Sequence, residues 1–320
     1  MSVPLTGVLL LNMGGPDAPN AVRPFLFRLF SDHDLVPLPA GVITQPLFAW
    51  AVSRLRARKV RGRYEEIGGG SPIGSITETQ RAALENALKE TGGNFKVYIG
   101  MRYWHPLSKH AALEMKEDGV SRLIALPLYP QYCAVTTGSS FKDMRRWLSW
   151  ADCSFHVTEI RSYPEHPGYV AALAETIAGA TREIDREEMF ILFSAHGVPQ
   201  RLVRDGDPYR AETEATVAAV MRSFPEIPHS ISWQSRMGRE PWLSPNSFDE
   251  ATRLAGEGVR HLIVVPVSFV SDNIETLHEL DIRLAAHSKK MGIQSFYRVP
   301  ALNDSPLFID ALKNIVLEAM

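Results

Sequence analysis

Short apolar runs alternate with longer stretches of helical periodicity along this chain. The runs Val8–Leu11, Leu123–Leu126, Met189–Phe193 and Leu262–Val265 are four or five residues long and carry no charge. Runs of that length, bounded by turn-forming residues, are typical of β-strands that are buried on both faces. Their alternation with helical stretches predicts an α/β protein with parallel, doubly wound (Rossmann-like) sheets.

The pattern occurs twice. Residues 119–128 (GVSRLIALPL) match residues 258–267 (GVRHLIVVPV), and a proline lies thirteen positions before each leading glycine, at Pro106 and at Pro245. Internal repetition of this kind indicates two copies of one structural unit. We therefore predict two similar modules with an active-site cleft between them.

The first strands of the two copies also align. When Gly14 is set on Gly197, the run Val8–Leu11 pairs with the strand that starts at Met189, and Met13 falls opposite His196. In parallel α/β sheets, ligand sites lie at the carboxyl ends of the strands. Met13 and His196 are therefore candidates for two sides of one site.

We predict an N-terminal module over residues 1–155 and a C-terminal module over residues 156–320, with the last helix packing on the first module. Between its matched glycines the first copy is about 44 residues longer than the second. The surplus contains a segment of mixed apolar and basic character at about residues 35–70. An insertion of this size next to a cleft predicts a lip or lid.

The start of this insertion is apolar and its end is basic. Leu35–Ser53 has no charge over nineteen residues, which approaches the length of a membrane span, but three prolines and a glycine disfavour a regular spanning helix. Six basic residues follow between Arg54 and Arg63. The combination is typical of a surface that touches a membrane or binds a greasy anionic ligand. A core helix with a solvated basic end accounts for the same pattern.

His196 follows a buried strand, and Gly197 and Pro199 then turn the chain. Histidine is the side chain best suited to proton exchange near neutral pH, so a catalytic role is one interpretation. The other is a structural histidine that caps the next helix or bonds a nearby carbonyl.

Three acidic residues follow the matching strand of the second copy. Asp272, Glu275 and Glu279 are spaced at i, i+3 and i+7, which places them on one stripe if the segment is helical. Such a stripe is usually a solvated face. Beside His196 it would instead form a path for a cation or a proton relay.

Aromatic and basic residues near the strand ends suit a large, flat, anionic ligand. A glycine-rich loop reaches Ser71, and further candidates follow other predicted strands: Arg102, Tyr103, Tyr129 and Trp233. Each aromatic residue alone also suits core packing.

Composition narrows the classes of function. The 320 residues are 45% hydrophobic with a net charge of −2, and no nucleic-acid-binding motif occurs, so we expect no nucleic-acid partner. Two cysteines cannot supply the four thiolates of an iron–sulfur cluster, and reduced thiols are typical of a cytoplasmic protein. The N-terminus has no basic region of a signal peptide and predicts a first strand.

Nine segments carry a resemblance to a known family. They are LLNMGGPDAP, FLFRLFSDHDLVPLP, YEEIGGGSPI, YIGMRYWHPL, LPLYPQYCAVTTGSS, ILFSAHGVP, GDPY, WQSRMGREPWLSP and SFVSDNIETLHELDI. In this order they resemble the ferrochelatases over nearly the whole chain. The segments NMGGP and RYWHP are closer to the Gram-negative and mitochondrial type than to the coproporphyrin-using type.

The resemblance implies a lyase of haem biosynthesis that inserts Fe²⁺ into protoporphyrin IX and releases two protons. It implies that His196 and Glu275 act at the metal side, that Asp272 and Glu279 form an acidic path for iron, and that Met13 faces the other side of the macrocycle. It also implies that Leu35–Val52 is an apolar lip. The implied porphyrin contacts are Met13, Arg56, Lys59, Ser71, Arg102, Tyr103, Tyr129 and Trp233.

The resemblance also bears on cofactors and partners. Fe²⁺ is expected as a substrate, with no tightly bound cofactor and no [2Fe–2S] cluster, because the chain lacks a cysteine-rich tail. Asn273 stands where some relatives have a second histidine, which argues against a two-histidine relay. Expected partners are protoporphyrin IX, ferrous iron, and either an inner-membrane surface or a protoporphyrinogen-oxidising enzyme. The expected location is the cytoplasm, at the periphery of a membrane.

Two alternatives stay open. A related chelatase could act on coproporphyrin III or on a corrin-type ring. A non-catalytic porphyrin or haem carrier would need the aromatic and arginine contacts but not the pair of His196 and Glu275.

Overall fold

The computed structural model describes residues 4–36, 38, 40–180, 189–236 and 240–320. Residues 37 and 39 of the predicted lip and residues 237–239 of the WQSRMGREPWLSP segment lie outside this part. The chain forms two compact units. The first comprises Met1–Leu128, Cys133–Arg161 and Val316–Met320, and the second comprises Tyr129–Tyr132 and Ser162–Ile315.

The first unit is built on a four-stranded parallel sheet. Its strands are β1 (Thr6–Asn12), β2 (Phe95–Met101), β3 (Arg122–Pro127) and β4 (His156–Glu159), in the order β2-β1-β3-β4. Its helices are α1 (Val22–Phe30), α2 (Gly41–Glu65), α3 (Ile73–Lys89), α4 (Ser108–Glu117) and α5 (Ser139–Trp150), with a 3₁₀ turn at Pro19–Ala21 and a π-helical turn at Ala134–Gly138.

The second unit repeats this plan. Its strands are β5 (Met189–His196), β6 (His229–Gln234), β7 (His261–Val265) and β8 (Ser295–Arg298), in the order β6-β5-β7-β8. Its helices are α6 (Pro167–Ala180), α7 (Gln200–Arg204), α8 (Tyr209–Met221), α9 (Ser247–Gly256), a π-helix (Glu275–Leu284) and α10 (Ala285–Met291). The last helix, α11 (Pro306–Glu318), begins in the second unit, and its final residues are grouped with the first.

The first strand of each sheet is central and apolar. Every residue of β1 is buried, because parallel neighbours flank it and helices cover the sheet. Leu9 and Leu11 pack with residues of α4 and α5, and Leu192 of β5 packs with residues of α9. Full burial of each such side chain contributes about 2 kcal/mol.

The two sheets share one register. Gly7 pairs with Leu123 between β1 and β3, and the matched residues Phe190 and Leu262 pair between β5 and β7. The repeat found in the sequence is therefore also a repeat of strand pairing, and the predicted α/β fold of two similar modules with parallel sheets is confirmed.

The unit boundaries differ from a single cut after residue 155. The strand β4 starts at His156 and pairs with β3, so the first unit continues to Arg161. The C-terminal residues are also held in the first unit, where the guanidinium of Arg122 donates a hydrogen bond of 3.0 Å to the carbonyl of Ala319.

The predicted lip is largely helical. The 25-residue helix α2 starts at Gly41 and contains Pro46. In the described part of the chain, no helix combines the length and the apolar character needed to cross a membrane. Ile43, Leu47 and Trp50 are nevertheless exposed, by 72%, 68% and 53%.

Candidate active site

The backbone of His196 is fixed at the end of β5. Its N–H donates to Oγ of Ser268 at 2.8 Å, and its carbonyl accepts a hydrogen bond of 2.9 Å from Oη of Tyr209. The imidazole lies edge-on to the ring of Phe269. The side chain therefore leaves the strand end in a defined direction, while 36% of its surface stays exposed.

The acidic partner of His196 is Glu275. Nδ1 of His196 lies 3.1 Å from Oε1 of Glu275, a contact that becomes an ion pair when the imidazole is protonated. Burial lowers the pKa of His196, but the negative charge of Glu275 and then that of Glu279 raise it by more. The pKa of His196 therefore lies above its ordinary value.

Glycine is required directly after His196. The N–H of Gly197 donates to the carbonyl of Gln234 at 2.8 Å, and a Cβ on Gly197 would lie 2.7 Å from that same oxygen. In the first unit the matched Gly14 has a φ of 77°, and a Cβ there would lie 3.0 Å from Cβ of Trp104. Close backbone approach thus shapes both strand ends.

Glu275 is the first residue of the π-helix and is held by two amide side chains. Its N–H donates to Oδ1 of Asn273 at 2.7 Å, and its carbonyl accepts from Nε2 of Gln234 at 3.1 Å. Asn273 therefore satisfies an otherwise free N–H at the start of this helix. Asn273 thus has a local structural role at the start of this helix.

Glu279 is oriented by Ser235, which follows β6. Oε1 of Glu279 accepts from the N–H of Ser235 at 3.0 Å, and Oε2 accepts from the Ser235 hydroxyl. Ser235 has a φ of 64°, in the region that favours glycine. The loop after β6 is thus bent so that both of its donors point at this carboxylate.

Asp272 differs from the two glutamates. Its Oδ1 accepts from Nη1 of Arg298 at 2.7 Å and from Oγ1 of Thr276 at 2.8 Å, and its Oδ2 accepts from Nδ2 of Asn303 at 2.9 Å. The helix begins after Asp272, so the three acids do not form the single α-helical stripe that their spacing predicted. Among the residues that the structure describes, no group of three or more His, Cys, Asp or Glu side chains could hold a metal ion.

Met13 directly follows β1, whereas His196 is the last residue of β5. Its N–H donates to Oδ1 of Asn12 at 2.8 Å, and its carbonyl accepts from the N–H of Tyr103 at 2.9 Å. Arg102, which directly follows β2, donates its N–H to the carbonyl of Asn12. The segment after β2 therefore supports the half-buried Met13.

The side chains of Arg102 and Tyr103 point into a buried polar network. Nη2 of Arg102 lies 2.7 Å from Oδ2 of Asp32, and the same oxygen accepts from the hydroxyls of Tyr103 and Ser139. Nη1 of Arg102 lies 3.5 Å from Oδ1 of Asp143. Sequence reasoning missed Asp32, although it lies within the quoted segment FLFRLFSDHDLVPLP.

The other predicted porphyrin contacts fall into three groups by exposure. Arg56 and Lys59 are exposed on α2, and neither has a carboxylate partner among the described residues. Trp233 is buried on β6 with its ring beside Tyr209.

The last two predicted contacts are half-buried. Ser71 donates its N–H to the carbonyl of Pro16 at 2.7 Å, which fixes the glycine-rich loop against the segment after β1. Tyr129 lies in the loop after β3.

Comparison with known proteins assigns the chain. A model of the family described as Ferrochelatase matches residues 5–320. The chain belongs to the ferrochelatase family. Ferrochelatases are lyases that insert iron into protoporphyrin, so this chain is an enzyme with Fe²⁺ as a substrate.

Curated ferrochelatases match nearly the whole of this chain. The chain is 45% identical to the ferrochelatase of Geotalea daltonii, covering 97% of both chains. It is 46% identical to that of Gloeobacter violaceus, covering 98% of this chain and 97% of the relative. A ferrochelatase of Picosynechococcus sp. is 45% identical, with 98% of this chain and 82% of the relative covered.

Solved chelatases share the ferrochelatase chain's fold at low sequence identity. "SirB from Bacillus subtilis with Fe3+" superposes with a TM-score of 0.59 at 12% identity, covering 98% of this chain and 95% of that one. CbiX, described as the terminal enzyme of sirohaem biosynthesis in denitrifying bacteria, superposes with a TM-score of 0.54 at 14% identity, covering 98% and 99%. These likenesses concern the fold alone.

Proposed function

We propose that this ferrochelatase forms protohaem from Fe²⁺ and protoporphyrin IX at the pair of His196 and Glu275. The observation that carries the proposal is the 3.1 Å contact between Nδ1 of His196 and Oε1 of Glu275 at a strand end. A non-catalytic carrier would have no use for a histidine and a carboxylate held together in this way.

The reaction requires proton acceptors. A free porphyrin carries two pyrrole N–H protons, and both must leave before iron is bound by all four nitrogens. His196 accepts one pyrrole proton on its exposed side, and the neighbouring carboxylate of Glu275 stabilises the imidazolium that results. We propose that the imidazolium releases this proton to water and that the second pyrrole proton also passes to water. Bending of the macrocycle would expose the nitrogen lone pairs.

We propose that Glu275 and Glu279 carry Fe²⁺ toward the ring, since carboxylate oxygens suit a divalent ion that sheds its water. Both glutamates keep oxygen lone pairs beyond their bonds to Ser235 and His196. The negative charge of Asp272 is balanced by the positive charge of Arg298. We therefore propose that Asp272 stabilises the entrance of this acidic path.

We propose that Arg56 and Lys59 bind the porphyrin propionates, because both cations are exposed and lack carboxylate partners in the described part of the chain. Met13, Ser71 and Tyr129 are proposed to contact the macrocycle.

We propose that Arg102, Tyr103 and Trp233 support the site from the interior of the protein. Arg102 and Tyr103 bind Asp32, and Trp233 is buried. These three side chains would therefore act by positioning the strand ends that carry Met13 and Ser235.

We propose that the chain works in the cytoplasm at the periphery of a membrane, without a tightly bound cofactor or a [2Fe–2S] cluster. Exposed Ile43, Leu47 and Trp50 are spaced at i, i+4 and i+7 on α2, so they form one apolar stripe. Such a stripe can lie in a membrane interface and receive an apolar porphyrin there, from the membrane or from a protoporphyrinogen-oxidising enzyme.

The substrate is tested by offering Fe²⁺ with protoporphyrin IX and, separately, with coproporphyrin III under anaerobic conditions. We expect kcat/KM for protoporphyrin IX to exceed that for coproporphyrin III at least tenfold. A preference for coproporphyrin III would contradict the proposed substrate while leaving the catalytic pair unaffected.

A further inference from the structure

A shallow cavity of about 400 Å³, widely open to solvent, lies on the first unit between α1, α2 and the preceding 3₁₀ turn. Its volume is within the range of small-molecule sites. None of the catalytic or porphyrin-contact residues proposed above lines it. The lining residues are Asn20, Arg23, Pro24, Phe27, Ser53 and Arg61.

The charged residues that line the cavity are all positive. Arg23 and Arg61 are its charged residues, and no carboxylate lines the cavity. Nε of Arg61 donates to the carbonyl of Pro19 at 3.0 Å, which anchors the guanidinium at the cavity while its other nitrogens bind no described carboxylate. Arg23 likewise has no ion-pair partner among the described residues. Two guanidinium groups facing one space favour a phosphate-type anion.

The apolar surroundings identify the kind of anion. Phe27 is 39% exposed at the cavity, and Ser53 is bonded through its hydroxyl to the carbonyl of Trp50, one turn earlier on α2. Trp50 is the last residue of the exposed apolar stripe, so the stripe ends one helical turn before the cavity residue Ser53. A ligand that uses both surfaces has a phosphate group and an apolar body.

We propose that this cavity binds the phosphate group of an anionic phospholipid, with Arg23 and Arg61 as its cationic ligands. The proposal rests on the peripheral membrane association proposed above and gives it a lipid class. When the stripe of Ile43, Leu47 and Trp50 enters the interface, the cavity lies at headgroup level.

The test uses the full chain and co-sedimentation with vesicles of phosphatidylcholine, with and without about one third phosphatidylglycerol. Arg23→Gln with Arg61→Gln removes the two cavity charges. Arg54→Gln with Arg58→Gln removes two exposed α2 charges that do not line the cavity, so it is matched in net charge. We expect the cavity variant to lose at least ten times more affinity for the anionic vesicles than the matched variant.

Equal losses in the two double variants would overturn the proposal, because they would show diffuse attraction without a site. Equal wild-type affinity for both vesicle types would overturn it too. Inorganic phosphate at constant ionic strength serves as the second arm. If inorganic phosphate saturates the site and phosphatidylglycerol does not increase the affinity for vesicles, the site binds a free anion and the lipid proposal is rejected.

Membrane association itself is measured separately with Leu47→Ser, which should weaken binding to both vesicle types. If that variant and the wild type bind equally, the apolar stripe is not the docking surface, whatever the cavity variant shows. Iron insertion into dispersed porphyrin should stay within twofold of wild type in the cavity variant. Retained activity there shows that the chain has folded.

Discussion

Asp32 connects two buried hydroxyls and a half-buried guanidinium of the first unit through one carboxylate. Its side chain is 5% exposed, and it accepts from Arg102, Tyr103 and Ser139. A buried guanidinium is costly unless its charge is balanced and its donors are used. Asp32 therefore keeps the segment after β2 folded beneath Met13, although it touches neither the catalytic histidine nor its glutamate.

Replacing Asp32→Asn should destabilise the protein by about 2 kcal/mol, because the charge of the half-buried Arg102 is then compensated only by the more distant Asp143. Urea unfolding measures this free energy. Asp34→Asn is the control, since Asp34 pairs with Lys142 on the surface and should cost less than about 1 kcal/mol. Equal losses in both variants would contradict the role given to Asp32.

The catalytic residue His196 and the supporting residues Asp32 and Arg102 differ in how easily they can be recognised from the sequence. His196 can be recognised from the hydrophobic pattern because it lies at the end of a buried strand. Residues adjacent in the sequence are enough to define such a position. Asp32 and Arg102 are 70 positions apart, and their contact depends on how α1 meets the sheet. No periodicity in the sequence indicates this contact, and the contact of Arg102 and Tyr103 with the porphyrin stays a prediction.

At the scale of elements, a π-helical turn follows the third strand in both units. It spans Ala134–Gly138 in the first unit and Glu275–Leu284 in the second. When Gly119 is set on Gly258, residues 134–138 fall on residues 273–277. The spacing of the acids predicted an ordinary helix, because apolar periodicity does not distinguish i→i+4 from i→i+5 bonding over so few turns. The π-helix places Glu275 and Glu279 near the strand ends and leaves Asp272 outside.

The junction of β5 with the following loop should not tolerate a side chain. Gly197→Ala would force a Cβ to within 2.7 Å of the Gln234 carbonyl, so the strand end that carries His196 must shift. We expect a loss of about 1–3 kcal/mol in the free energy of unfolding, with a lower kcat. Chemical denaturation and steady-state kinetics measure the two effects.

Gly179→Ala in α6 is the control for that change. A Cβ at Gly179 meets nothing within 4 Å, so alanine there should be neutral or stabilising by up to about 1 kcal/mol. If Gly197→Ala matched this control in stability and turnover, close packing at the catalytic strand end would be refuted.

At the scale of the whole molecule, the duplication explains most of what could be predicted. One alignment of the sequence with itself gave the fold class, the two modules and the strand ends that carry Met13 and His196. It could not give the unit boundaries, because β4 joins the first sheet and the C-terminus returns to the first unit through Arg122. Those features depend on long-range pairing.

We propose that His196, paired with Glu275, takes a proton from the porphyrin as iron enters. Turnover of Fe²⁺ and protoporphyrin IX by His196→Ala tests this role, with porphyrin affinity measured on the same preparation. We expect a fall in kcat of at least about 100-fold, the scale of general base catalysis, with porphyrin affinity changed by less than about threefold. Turnover close to that of the wild type, with porphyrin bound as before, would contradict it.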